Sequence, residues 1–235
     1  MDPVSALHRL VVEVARDPAL ADDLALRGGA ALHHLHLDRP LRRCDDLSYG
    51  RTSSTGLGPI LEGLRLVAGR LDMVIERPEL RDDGLHARID APAEPGTLSV
   101  SVDAHAIEPC RPHVRRRLRV GFGPGATEAD VLTFALDDIL ALTLRQLSQR
   151  RDPRDLFDLW AGLTIGDASA GDVASCFRHY VAPAQAPADE LLDHLELTLA
   201  DEAVRDGFVH LTVRAPVDSI DDADAVVRGV ISAIP

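Results

Sequence analysis

A short apolar run, a pair of glycines and a helical pattern follow one another between residues 24 and 37, and this succession constrains the fold most. Leu24–Leu26 has the length and apolarity of a buried strand, Gly28 and Gly29 permit a tight turn, and residues 30–37 are spaced as in a helix. Such a turn directs free backbone N–H groups towards an anion such as a phosphate. Adjacent glycines at a strand end are also common as plain turn residues, so both interpretations stay open.

Apolar and polar residues alternate in two later segments, Leu85–Ile89 and Leu98–Val102, joined by APAEPGT. This period of two predicts a β-hairpin with a long loop. Short strands are also predicted at 47–49 and 131–134. Helices are predicted at 5–15, about 59–71, 136–147, from Pro153 with Asp152 as N-cap, and near 171–181, 188–206 and 222–234.

The predicted strands all precede residue 135, and the segments after it are mostly helical. We therefore predict an α+β fold with a mixed β-sheet flanked by helices. The expected domains are an α/β lobe at 1–134 and a mainly helical C-terminal lobe at 135–235.

The formal net charge of −13 argues against general nucleic-acid coating, because such binding draws its affinity from positive charge. Residues 1–150 contain 19 arginines and 22 acidic residues, whereas residues 151–235 contain 6 and 16. Any polyanion is therefore expected to bind the N-terminal lobe, and no DNA partner is expected. All 25 basic residues are arginine, so no lysine is available for catalysis.

No apolar run approaches the roughly 20 residues that span a bilayer, and the first residues lack a signal-peptide pattern. We expect a cytoplasmic protein with no membrane partner. Cys44, Cys110 and Cys176 are odd in number and far apart, which predicts free thiols.

A carboxylate opens the next predicted strand, in RRCDDLSYG. The stretch LALRGGAALHHLHLDRPLRRCDDLSYG resembles the opening of the AbiEii and MenT-type toxin nucleotidyltransferases. Their pattern is a Gly-Gly-Ser/Thr turn, a helix, and Arg-x-Ser-x-Asp-x-Asp on a strand. The resemblance implies that Gly28 and Gly29 bind nucleotide phosphates and that Asp46 binds Mg²⁺. Ser48, expected to face the nucleotide, replaces the second carboxylate.

SVSVDAHAIEP resembles the family segment that supplies a third carboxylate. The resemblance implies that Asp103 is the catalytic and metal-binding partner of Asp46. Asp90, at the end of the other predicted hairpin strand, is the competing candidate. Both residues are also compatible with ordinary strand-end aspartates.

LDDILALTLRQLSQRRDPRDLFDLW resembles the helix pair of the family. Thr143 stands where the family has a lysine and is expected at the nucleotide without its charge. Arg154, Asp155 and Asp158 match the final motif and are expected in the catalytic site, where Arg154 and Arg43 would balance phosphate charge. Asp155 and Asp158 share a helical face, from which they could contact nucleotide, metal or Arg154; Asp155 could instead complete a capping box.

Two further clusters contain basic or titratable side chains. The arginines between 111 and 119 could face an RNA backbone from an alternating strand, or form a solvated surface. His33, His34 and His36 lack a partner group for a metal site, so surface or packing roles are expected.

The resemblance implies a protein of toxin–antitoxin type that transfers a nucleotide from a nucleoside triphosphate to RNA, with the tRNA 3′ end as acceptor and Mg²⁺ as cofactor. The substitutions at 48 and 143 predict a slow enzyme. The alternative is an inactive family member that binds a nucleotide, an RNA or a protein such as a cognate antitoxin.

Overall fold

The computed structural model describes residues 6–91, 97–121, 126–182, 185, 187–211 and 219–234. The chain forms two compact units. The first consists of Met1–Ala31, Cys44–Pro109 and His113–Phe134, and the second of Leu32–Arg43, Cys110–Pro112 and Ala135–Pro235. Most of the predicted APAEPGT loop and of the glycine-rich GFGPGAT segment, and the start of the first predicted helix, lie outside the described residues.

The first unit is built on a mixed sheet of seven strands among the described residues. The strands are β1 Leu24–Arg27, β2 Asp46–Arg51, β3 Val74–Arg81, β4 Gly84–Asp90, β5 Thr97–Ala106, β6 Val114–Val120 and β7 Thr127–Thr133. Their order in the sheet is β3-β4-β5-β2-β1-β7-β6. β1 pairs in parallel with β7 and antiparallel with β2, and β2 pairs in parallel with β5. The predicted hairpin is confirmed, since β4 and β5 are antiparallel.

Of the two edge strands, β3 was not predicted. β3 is irregular, with a register shift between Glu76 and Glu79 and a positive φ of 45° at Arg77, so its sequence does not alternate cleanly. Pro78 is tolerated because an edge strand leaves N–H groups outside the sheet. The alternating strand that one interpretation of the arginine-rich segment required is present as β6, which pairs antiparallel with β7.

Two longer helices, α1 Ala6–Arg16 and α3 Leu57–Arg70, pack in the first unit. α1 buries Leu7, Leu10 and Val14, as its spacing predicted, and contacts β6 and β7. Each leucine so buried contributes about 1.5–3 kcal/mol to folding. The short helix α2 Gly28–Ala31 continues as a π-helical turn, Leu32–His36, whose residues belong to the second unit.

The second unit is helical. The predicted start of α5 is confirmed, because the Asp152 side chain accepts a hydrogen bond from the Arg154 amide and Pro153 is the first helical residue. The stretch predicted at 188–206 is two helices, since Asp201 has an extended backbone and its side chain accepts from the Ala203 amide. The helices are α4 Leu136–Leu147, α5 Pro153–Thr164, α6 Ala170–Tyr180, α7 Ala188–Ala200, α8 Glu202–Leu211 and α9 Ile220–Ser232.

The expectation of three free thiols was wrong. Cys110 and Cys176, 66 positions apart, form a disulfide in the second unit with their Cα atoms 5.4 Å apart, and Cys44, which is buried, is not part of a disulfide. Spacing along the sequence could not reveal this pair, because the fold brings the two residues together. In the described part of the chain, no helix has the length and apolarity needed to cross a membrane.

Candidate functional site

The glycine turn lies beside the strand that carries the predicted carboxylate. Arg27 is opposite Ser48 in the antiparallel pair of β1 and β2. Gly28 follows with φ of 68°, a conformation that favours glycine, and a side chain there would begin 3.8 Å from the Ser48 Cβ. The predicted strand, turn and helix are therefore present, with Gly28 and Gly29 opening α2.

The face of the sheet next to this turn is polar. Asp46 and Ser48 share it, because alternate residues of a strand point to one side. Ser99 and Ser101 lie opposite them on the parallel strand β5, and the Ser101 hydroxyl donates to the Ser48 oxygen at 3.1 Å. On the other face, Leu47, Tyr49, Val100 and Val102 are buried in the core.

Asp103 lies further along this face than the resemblance implies. Asp46 is level with Ser99, and Asp103 is four residues beyond Ser99, about 13 Å along the strand. Mg²⁺ binds carboxylate oxygens at about 2.0–2.1 Å, so one ion cannot join both side chains in this arrangement. Asp90 lies on β4, two strands from β2 and opposite Thr97, so it does not adjoin Asp46 either. The structure does not bring the two expected metal ligands together.

The carboxylate of Asp103 is instead paired with Arg27. The guanidinium donates from Nε to Oδ2 at 3.0 Å and from Nη2 to Oδ1 at 2.6 Å. The two side chains are only 14% and 19% exposed. Bidentate pairs of this kind fix both groups and balance their charges. Sequence reasoning missed Arg27, whose only signal was its place directly before the glycines.

Phe134 covers the face beyond Ser48. A side chain on Gly50 would begin 2.6 Å from the Phe134 ring and 3.5 Å from Asp103 Oδ2. Glycine is therefore required at position 50, and the ring shields the region around the Arg27–Asp103 pair. Asp46 and Ser48 remain the more accessible polar groups on β2, since both are half-buried.

Whether this face can hold a resident Mg²⁺ depends on the ligand atoms that its side chains offer. Asp46 offers one carboxylate, Ser48 a neutral hydroxyl, and Asp103 is remote and already paired. These groups do not fit an ion held by two protein carboxylates. They fit an ion that arrives with a triphosphate, since Mg²⁺ is often held by one carboxylate together with substrate phosphates.

A second possible ligand cluster lies in the second unit. Among the described residues, Cys110, Asp138 and Cys176 are the group of three whose ligand atoms lie within 4.8 Å of one another. The two sulfurs form the disulfide, and buried Asp138 accepts hydrogen bonds from the amides of Cys110 and Arg111 at 2.7 and 3.1 Å and from the Tyr180 hydroxyl. The carboxylate thus anchors the segment 110–112.

Asp158, expected in the catalytic site, is buried in an ion-pair cluster of the second unit. Arg42 donates to its two oxygens at 2.7 and 2.6 Å, and His33 Nε2 lies 2.9 Å from Oδ1. The Leu41 amide donates to His33 Nδ1, so Nε2 carries the proton that is donated to Asp158. The adjacent Arg42 charge and these hydrogen bonds outweigh burial and hold the Asp158 pKa below its usual value.

Asp155 and Arg154 also form hydrogen bonds with neighbouring charged side chains. Asp155 accepts from Arg150 Nε and Nη2 at 2.7 Å each, not from Arg154, and its own amide bonds to the Asp152 carbonyl. Burial raises the Asp155 pKa despite Arg150. The Arg154 side chain folds back onto Asp152, with Nη2 2.9 Å from Oδ2.

The remaining expected residues differ in exposure. Thr143 is buried in α4, and its hydroxyl donates to the Ile139 carbonyl of the preceding turn. Arg43 is exposed. His33, for which a surface or packing role was expected, is fully buried.

The arginines between 111 and 119 were expected either to face an RNA backbone or to form a solvated surface. Arg115, Arg117 and Arg119 share one face of β6, where Arg117 is opposite Asp130 and Arg119 is opposite Glu128 on β7. Arg117 bonds to Asp130 at 3.1 Å and Arg115 pairs with Asp22. Much of the positive charge is therefore balanced within the sheet.

Comparisons with known proteins agree with this fold. MenT4, a nucleotidyltransferase toxin from Mycobacterium tuberculosis H37Rv, is 17% identical in sequence and superposes with a TM-score of 0.64 over 97% of this chain and 81% of its own. A putative nucleotidyltransferase from H. pylori is 13% identical, with a TM-score of 0.51 over 97% and 91%. These likenesses establish the nucleotidyltransferase-toxin fold. No curated protein matches the chain.

The sequence itself matches one protein family over nearly its whole length. Residues 9–228 match the family described as nucleotidyl transferase AbiEii toxin, type IV toxin–antitoxin system. The chain therefore belongs to the AbiEii nucleotidyltransferase toxin family of toxin–antitoxin systems.

Proposed function

We propose that this protein is a cytoplasmic toxin that transfers a nucleotidyl group from a nucleoside triphosphate to RNA with release of pyrophosphate, with the tRNA 3′ end as the acceptor implied by the family resemblance. The observation that carries the proposal is the placement of Asp46 and Ser48 on one polar sheet face directly beside the Gly28 turn. A turn that exposes N–H groups next to a carboxylate suits a triphosphate and its counter-ion.

The residues of the chain would act as follows. The backbone at Gly28 and Gly29 would hold the phosphates, and the Ser48 hydroxyl would hydrogen-bond to a phosphate oxygen. Asp46 would hold a Mg²⁺ that enters with the triphosphate, and this ion would reduce the negative charge of the phosphates during attack by the RNA hydroxyl. Arg43, which is exposed, would contribute positive charge.

The reaction should be slow. Loss of one preorganised charge-stabilising group typically lowers a rate by about 10²–10³. This chain has Ser48 in place of a carboxylate and Thr143 in place of a lysine, and Asp103, Asp155 and Asp158 are bound to arginines.

The test is transfer of radiolabel from each of four α-labelled triphosphates to total tRNA with Mg²⁺. The expected result is slow labelling that Asp46→Ala abolishes. Asp82→Asn, in the exposed turn between β3 and β4, removes the same charge two strands away from β2 and should leave labelling unchanged. Equal labelling by the wild type and Asp46→Ala would contradict the proposal.

A second candidate is a family member that binds without transfer. The Arg27–Asp103 pair favours it, since the carboxylate expected to complete the metal site is neutralised. Residues 151–235, with 6 arginines and 16 acidic residues, suit a basic partner such as a cognate antitoxin better than RNA. Calorimetric titration with triphosphate and Mg²⁺ separates the two: tight, Mg²⁺-dependent binding favours the transferase.

A further inference from the structure

The Arg27–Asp103 ion pair suggests how this protein binds a triphosphate. We propose that the Arg27 guanidinium, rather than a metal ion resident in the protein, is the built-in cation for the phosphates, and that Asp103 is an internal counter-ion that competes with the ligand for it. The inference rests on the proposed function only in taking a nucleoside triphosphate as the ligand.

The position of Arg27 supports this role. It immediately precedes the Gly28 turn and lies opposite Ser48 across the strand pair, so its side chain shares the polar face with Ser48. Arg27 Nε and Nη2 bond to Asp103. Nη1 makes no hydrogen bond to any residue that the structure describes, so its two N–H groups are not committed within the described part of the chain. Planar guanidinium groups with fixed donors suit phosphates well.

The alternative cation, a resident divalent ion, lacks its ligands. Asp103 lies four strand positions beyond the level of Asp46, and its two oxygens already accept from Arg27. No lysine exists in the chain to supply the charge. Arg27 is therefore the cation that the polar face holds next to the glycine turn.

The Arg27–Asp103 pair and a metal site predict opposite effects of Asp103→Asn on triphosphate binding. The Arg27–Asp103 pair has no net charge, so an incoming triphosphate gains little attraction from it while Asp103 is ionised. Asp103→Asn frees the guanidinium and should strengthen triphosphate binding. If Asp103 were instead a metal ligand, the same substitution would remove a carboxylate from the ion and weaken binding.

The experiment is calorimetric titration of the full chain with each of the four nucleoside triphosphates, first in EDTA and then in Mg²⁺. In EDTA, Asp103→Asn should bind about tenfold more tightly than the wild type, the factor expected from one released charged hydrogen-bonding group. Arg27→Gln should bind more weakly than the wild type. Arg27→Gln combined with Asp103→Asn should lose the gain.

Matched controls exclude a general charge effect. Asp72→Asn changes net charge equally in the exposed turn before β3, at the opposite end of the paired strands from Asp103, and Arg65→Gln removes an exposed arginine of α3. Neither should change affinity by more than about twofold. Asp103→Asn leaves Arg27 half-buried and without its counter-ion, which could destabilise the fold. Asp103→Ser therefore provides a second variant that also removes the carboxylate. Thermal melting identifies any variant that does not fold.

The outcomes separate this inference from the proposed function. Mg²⁺-dependent binding that Asp103→Asn weakens would overturn the role of Arg27 and leave the transferase proposal intact. Tighter binding by Asp103→Asn without RNA labelling by any protein would support the role of Arg27 and overturn the transferase. Absence of triphosphate binding by every folded variant in both buffers would overturn both.

Discussion

Arg42 and Asp158, 116 positions apart in the chain, form a bidentate ion pair in which neither side chain is more than 5% exposed. His33 donates to the same carboxylate, so the pair joins the segment 32–43 to α5 inside the second unit. A carboxylate whose oxygens already accept three charged or polar donors is not available to a nucleotide without first breaking these bonds.

The first prediction concerns the stability that this cluster supplies. Asp158→Asn leaves Arg42 buried without its counter-ion and should lower the free energy of unfolding by about 3–5 kcal/mol. Urea unfolding followed by circular dichroism measures it. Asp193→Asn, on the exposed side of α7, is the control and should change stability by less than about 0.5 kcal/mol. Similar midpoints for the two variants would contradict the structural role of Asp158.

The pH dependence of the same variant follows from the lowered pKa of Asp158. Its pKa is lower in the folded chain than in the unfolded chain, where it is about 3.9. The stabilisation is therefore fully present above about pH 4 and is lost as pH falls through the folded value. We expect the difference in unfolding free energy between the wild type and Asp158→Asn to be constant from pH 5 to 7 and to shrink below pH 4. A difference independent of pH down to pH 2 would contradict this account.

The second prediction tests whether β2 retains the geometry of a metal-binding strand. Ser48→Asp places two carboxylates at alternate positions on one face, about 7 Å apart along the strand. The variant should bind Mn²⁺ without nucleotide, detected by electron paramagnetic resonance, whereas the wild type should not bind below about 1 mM. Ser48→Asn, similar in size but uncharged, is the control. Equal Mn²⁺ binding by the wild type would show that a resident ion site exists.

The third prediction concerns the disulfide between Cys110 and Cys176. A link across 66 positions restricts the unfolded chain and is expected to stabilise the protein by about 4 kcal/mol. Oxidised protein should therefore melt at a higher temperature than protein reduced with dithiothreitol. Cys176→Ala should melt identically with and without the reductant, and Cys44→Ala should retain the response. Because disulfides are rare in the cytosol, thiol alkylation of freshly lysed cells would show which form exists there.

The sequence predicted the regular parts of the fold and missed the irregular edge strand β3. The buried faces of α1 and the β4–β5 hairpin follow local periodicity, so spacing alone located them. β3 contains Pro78 and an irregular register, and it has a partner on one side only. Its conformation depends on pairing with β4, which residue order does not reveal.

Prediction from the sequence was also limited for the candidate functional site. The resemblance identified the glycine turn and Asp46, because these depend on a short contiguous motif. It could not show that Arg27 forms an ion pair with Asp103, 76 positions away, or that Arg42 forms one with Asp158. Each ion pair depends on the register of strands or on the packing of a segment against a helix, so aligned carboxylates alone do not reveal which charges remain available.

The last prediction uses a buried group that the proposed chemistry leaves unused. Tyr49 is 2% exposed on the core face of β2, burial raises its pKa, and its hydroxyl has no hydrogen-bond partner among the described residues. An unsatisfied buried polar group costs about 1–3 kcal/mol, so Tyr49→Phe should raise the free energy of unfolding by about 1 kcal/mol and the melting temperature by about 2–4 °C. Tyr180→Phe is the matched comparison with the opposite sign, because the Tyr180 hydroxyl donates to Asp138 and its loss leaves that buried carboxylate short of a donor. Scanning calorimetry of the two variants measures both shifts, and a lower melting temperature for Tyr49→Phe would mean that the hydroxyl of Tyr49 has a stabilising partner.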